Sequence, residues 1–153
     1  MRKPGSGTHP PPSEGSLARS LIPPLLEVLS GHTTTTDRCW FAVWHGVGAL
    51  RVELRYAPTF ATPGREYVLL NGAIEGALES LAEDWLGQSA NIWWPDDRAW
   101  CVATEIDFKT TYIGCSAACR DELLARSDLE AYEIDPSYGI DWVIDKLNDP
   151  DTK

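Results

Sequence analysis

From Trp100 to Phe108 every second residue is bulky or apolar: Trp100, Val102, Thr104, Ile106 and Phe108 alternate with Cys101, Ala103, Glu105 and Asp107. No other feature of the chain restricts its fold as tightly. A period of two belongs to extended backbone, whose successive side chains point to opposite faces. Extended backbone must also find partners for its amide and carbonyl groups. Residues 99–108 are therefore expected to form one strand of a sheet, with the apolar set buried and the carboxylates turned outward. Two strand rises separate Glu105 and Asp107 by about 7 Å at the backbone, on one side.

Other stretches supply the neighbours. CWFAVWHG and ALRVELRY read as a hairpin around Gly46 and Gly48, because Leu50, Val52, Leu54 and Tyr56 alternate with Arg51, Glu53 and Arg55. PTFATPG reads as a loop and REYVLLNG as a third strand. The strand over 99–108 is expected to turn near Lys109 and pair with TTYIGCS, and LEAYEID to add a short last strand. WWPDDR reads as a turn in which Pro95 fixes the backbone and Asp96 and Asp97 bond nearby amides.

Four segments have helical spacing. SLIPPLLEVLSGH tolerates Pro23 and Pro24 in its first turn and buries Leu25, Leu26 and Leu29. AIEGALESLAEDWL places Ile74, Leu78, Leu81, Ala82 and Trp85 on one face. AACRDELLAR follows Ser116 as its cap and turns Leu123 and Leu124 inward, and YGIDWVIDKLND carries Ile140, Val143, Ile144 and Leu147. The fold class expected is α+β, a mainly antiparallel sheet of about six strands with about four helices packed on it.

A chain of 153 residues suffices for one domain with its own core. Residues 1–16 contain no apolar side chain after Met1 and are expected to be a disordered tail, with residues 17–153 a single α+β domain. Thirteen basic residues against 23 acidic ones give a net charge of −10. That field repels a phosphate backbone and attracts a basic partner, so a basic protein is expected and nucleic acid is not. No stretch approaches the roughly 20 apolar residues of a membrane span. The first residues also lack the apolar run of a secretory signal. A cytoplasmic location with reduced cysteines is the expectation, and no membrane partner.

Several chemistries are tempting. Glu105 and Asp107 on one face could serve as an acid/base pair or hold a cation, although no histidine or third acid is fixed beside them. Cys115 and Cys119 with His45 suggest zinc, but structural zinc sites use tighter cysteine pairs and four ligands. Phosphate-binding glycine loops, the dinucleotide fingerprint, the nucleophile-elbow serine and the zincin helix are all missing from the sequence, so no cofactor is expected. Trp93 and Trp94 are neighbours on extended chain and point to opposite sides. At most one of them is expected to be core, and the other, taken to be Trp94, is the better surface anchor.

HTTTTDRCWFAVWHG, PGREYVLLNG, WWPDDRAWCVATEID, and TYIGCS followed by LEAYEID together resemble a family of small proteins from high-GC Gram-positive bacteria to which no activity is assigned. The likeness runs from Pro24 to about Glu133 and carries no chemistry with it. It implies a second glycine at the position of Cys115, which argues against an essential thiol there. Size, acidity and the LLNG pattern are also similar to those of SMI1/KNR4-like immunity and antitoxin proteins.

These features together lead to the expectation of a non-enzymatic binding protein, an immunity-type inhibitor of a basic partner. Trp94 is its expected anchor, with Asp96, Asp97, Glu105 and Asp107 steering the partner and Arg98 holding an aspartate in the turn. The alternative is a small enzyme built on the Glu105/Asp107 pair.

Overall fold

Every residue of CWFAVW is apolar, so this strand has no face suited to water, and it lies in the middle of the sheet. The computed structural model describes residues 13–83 and 87–137. In chain order the strands are β1 (Cys39–Trp44), β2 (Thr59–Thr62), β3 (Arg65–Gly72), β4 (Ile92–Pro95), β5 (Cys101–Thr104) and β6 (Thr111–Gly114). They form a single sheet in the order β2-β3-β1-β4-β5-β6, with every pairing antiparallel. Two α-helices are described, α1 (Ile22–Leu29) and α2 (Ala117–Ala125). The fold class is α+β as expected, with two α-helices among the described residues rather than four. None of the described helices is long and apolar enough to cross a membrane.

Register assigns the faces. Cys39, Phe41 and Val43 of β1 lie beside Gly72, Leu70 and Val68 of β3, and Phe41 lies beside Trp93 of β4. Trp93 in turn faces Val102. These side chains meet Ile22, Leu25, Val28 and Leu29 of α1 and Cys119 and Leu123 of α2 in one core. Trp93 and Trp100 meet edge to face at 5.3 Å, and the Trp100 indole donates to the Leu29 carbonyl at 2.9 Å. Both helices begin as their sequences require. Two prolines occupy the first turn of α1, where their missing N–H groups cost nothing. The Ser116 hydroxyl accepts from the Cys119 amide at the start of α2. Leu123 points inward, but Leu124 is exposed, which corrects the inward placement expected for it.

Several expectations fail for local reasons. Val52–Tyr56 is a 3-10 turn, not a strand, and Tyr56 is 90% exposed. β1 already has β3 on one edge and β4 on the other, so no edge remains for residues 50–56. Ile74–Leu78 is likewise only a 3-10 turn. Leu81 and Ala82 are drawn away to Leu50 and Arg51 by a β-bridge and an amide bond, which interrupts the expected helix. Trp85 lies outside the described residues, as does the expected helix YGIDWVIDKLND.

PTFATPG contains β2, and WWPDDR begins as β4 before turning at Asp96 and Asp97. LEAYEID forms no strand: residues 129–135 are irregular, and all but Leu129 are exposed. The strand expected over 99–108 is regular only at Cys101–Thr104, where the burial alternates as predicted. Beyond it the Phe108 amide turns back to the Glu105 carbonyl.

Gly15 and Ser16, expected in the tail, are buried instead. The Gly15 amide donates to the Phe108 carbonyl, and the Gly15 carbonyl accepts from Gln88 and from Asn91, both at 2.8 Å. Asn91 is 1% exposed, and its carboxamide also accepts from the Trp44 amide at 2.7 Å.

Candidate functional site

The second face of the sheet carries Trp40, Ala42 and Trp44 of β1, Tyr67, Leu69 and Asn71 of β3, Ile92 and Trp94 of β4, Cys101 and Ala103 of β5, and Tyr112 of β6. Ala42 and Tyr67 are buried yet lie outside the main core, and no described helix sends a buried side chain to this side. The aromatic residues cover the sheet themselves. Phe60 of β2 stacks on Tyr67 at 5.4 Å and meets Trp94 nearly at right angles at 6.4 Å, although β3 and β1 lie between their strands. Trp40, Trp94, Leu69, Ile92 and Tyr112 remain half-buried. Trp93 is 2% exposed, so the division of the tryptophan pair falls as expected.

Charged clamps close the two ends of this face. At one end the Arg65 guanidinium lies between the expected carboxylate pair, with Nη2 at 3.1 Å from Glu105 and 2.7 Å from Asp107. An acid/base or cation-binding pair would need those oxygens free, and a cation already sits between them. Among the described residues no group of three or more His, Cys, Asp or Glu side chains is arranged to hold a metal ion.

At the other end, the Trp40 indole donates to Asp96 at 3.1 Å, and Arg38 lies 3.6 Å from the same carboxylate. Asp97 accepts from the Thr33 hydroxyl, from the amide and hydroxyl of Thr34, and from the Ala99 amide. These bonds, led by the Thr34 amide, hold its carboxyl down at about 2. HTTTTDR is thus the partner of the WWPDDR turn.

Arg98 adopts a left-handed backbone (φ 57°) and is exposed. It makes no ion pair with Asp96 or Asp97; Arg38 takes the place expected for it. The six expected residues therefore divide between two ends of the face. Glu105 lies three positions beyond Val102, the register partner of Trp93, about 10 Å at strand rise.

Acidic side chains gather at the Asp96 end. Burial, and then the nearby carboxylates of Asp97, Glu75 and Asp37, push the Cys39 thiol up to about 11. A cleft of about 350 Å³ opens at the same end, lined by Trp40, Ala57, Pro58, Leu69, Leu70 and Asn71. Trp40 and Asn71 lie directly opposite each other across β1 and β3.

Sequence reasoning missed Trp40, Phe60, Leu69, Ile92 and Tyr112 as site residues. One signal for them was visible: β1 is apolar on both faces, so its second face must either be covered or present an apolar surface. Comparison of the chain with protein-family models, curated proteins and solved structures finds no match.

Proposed function

We propose that the chain is a binding protein that works without catalysis and captures a basic protein partner on the second face of its sheet. The observation that carries this reading is the half-buried aromatic and aliphatic surface around Trp94, which has no helix over it among the described residues. Such a surface is a protein-recognition surface when charged groups rim it, as Asp96 and the Arg65 clamp do here. The net charge of −10 supplies long-range attraction for a cationic partner. An inhibitor of immunity type, acting on a basic toxin, is the form of this reading that the acidity favours.

The test is capture from the native host's extract by the wild-type protein and by Trp94→Ser, each checked for folding by near-UV circular dichroism. A basic protein that the wild type retains at low salt, releases at high salt, and fails to bind to a folded Trp94→Ser variant supports the reading. Equal retention by both proteins refutes it. Trp93→Ala is the contrasting control, because loss of a buried tryptophan costs about 3–5 kcal/mol of folding stability.

A further inference from the structure

We infer that the cleft between Trp40, Pro58, Leu69 and Asn71 receives a proline from an extended, positively charged segment of the partner. This inference rests on the binding reading above and names the chemistry of the element bound.

The cleft has one flat aromatic wall. Trp40 is held in place by its indole bond to Asp96, so its ring is a fixed platform. Pro58 and Leu69 complete an apolar lining that contains no charged side chain. Its volume of about 350 Å³ lies at the low end of small-ligand sites, room for one or two side chains and not for a folded element. A charged side chain inserted there would lose its hydration without gaining an opposite charge. An apolar ring would lose nothing comparable.

Asn71 adds the polar requirement. Its side chain is exposed, and its carboxamide makes no hydrogen bond to any described residue. It stands directly across from Trp40, so a ring stacked on the indole has a carboxamide donor beside it. Polyproline II backbone matches this arrangement. It has no internal hydrogen bonds, so its carbonyls accept from outside donors, and its conformation is largely fixed before binding.

The field around the cleft selects the flanking residues. Asp37, Glu75, Asp96 and Asp97 gather at this end of the sheet; of the nearby cations, Arg38 lies beside Asp96, Arg98 is in the turn, and Arg51, which adjoins Leu70 and Asn71, is already paired with Glu53. The acidic excess favours lysine or arginine on either side of the inserted proline. A neutral sugar would also stack on an indole, but it gains nothing from that excess. A second copy of the chain would bring its own −10 against it.

The experiment titrates the protein with a synthetic peptide of four prolines flanked by arginines, following tryptophan fluorescence and the Asn71 side-chain amide signals in NMR. Changing its prolines to alanine should weaken binding at least about tenfold, and glutamate flanks should weaken it comparably. Asn71→Ala, at an exposed position, should weaken it severalfold with folding unchanged, and Trp40→Leu should abolish it. Equal affinity for the alanine peptide, or indifference to Asn71→Ala, overturns the inference. Saturable binding of a neutral oligosaccharide lost in Trp40→Leu, or concentration-dependent dimerisation through this face, overturns it in favour of those occupants. If no peptide binds while Trp94-dependent capture of a basic protein persists, the proline socket is wrong and the binding face stands. If capture also fails, the binding face falls with it.

Discussion

Asp97 organises the turn after β4 almost entirely through uncharged donors. The hydroxyl of Thr33, the amide and hydroxyl of Thr34 and the amide of Ala99 converge on one carboxylate. Hydrogen bonds of this kind stabilise the ionised form, and salt weakens them less than it weakens an ion pair. The carboxyl titrates near 2 in the folded protein, against an ordinary 3.8. Its contribution to stability is therefore complete above about pH 4 and is lost as pH falls toward 2. Asp97→Asn should flatten the pH dependence of the urea midpoint across that window. At neutral pH it should cost about 1 kcal/mol, because solvent screens bonds to a carboxylate this exposed. A variant with wild-type pH dependence would show that the threonine contacts are incidental.

At the scale of elements, edge availability separates the strands that formed from those that did not. Residues 50–56 alternate as cleanly as residues 100–104, yet only the second stretch becomes a strand, because β4 offers it a free edge while β1 has none. Alternation describes what a strand would bury and not whether a neighbour is there. REYVLLNG was legible because its length gives six paired positions with β1. β2 was not legible, since four residues between prolines carry no periodic signal; the β2–β3 hairpin depends on its turn. Pro63 and Gly64 join Thr62 to Arg65, and Gly64 has φ +76°. A side chain there is strained although space is open around it. Gly64→Val should destabilise the fold by about 1–2 kcal/mol in urea titrations, with amide exchange rising first in β2.

The candidate site was half legible for a related reason. Trp94 and the carboxylates stand out as residue types, so a reading of the sequence singles them out. Trp40, Leu69 and Ile92 become a surface only once β3, β1 and β4 lie side by side in register. Arg65 stands 40 residues from Glu105, and no local pattern announces a clamp of that span.

For the molecule as a whole, the buried thiols report on global opening. Burial dominates the rise of Cys39 to about 11 and of Cys119 to about 12, with neighbouring carboxylates, and for Cys119 also Cys115, adding to it. At pH 8 these two groups are thiols and react with alkylating reagents only when the core opens. Their labelling rates should therefore fall together with increasing stability, in parallel with the slowest-exchanging amides. Unfolded thiols ionise near 9, so between pH 9 and 11 the unfolded chain releases protons that the folded chain keeps, and stability should decline across that range. Independent labelling of Cys39 and Cys119 would mean that the two layers of the core open separately.

The bonds made by Gly15 have a practical corollary for anyone shortening this chain. Composition invites a cut just before Leu17, where proline, glycine and serine give way to apolar sequence. That cut would remove the carbonyl shared by Gln88 and Asn91 and the serine hydroxyl that meets Ser89, taking a partner from the buried Asn91 carboxamide and Ser89 amide at about 1–3 kcal/mol each. The trimmed protein should melt earlier and be nicked sooner by proteases near residue 88, while a chain beginning at Ser13 keeps the seam closed.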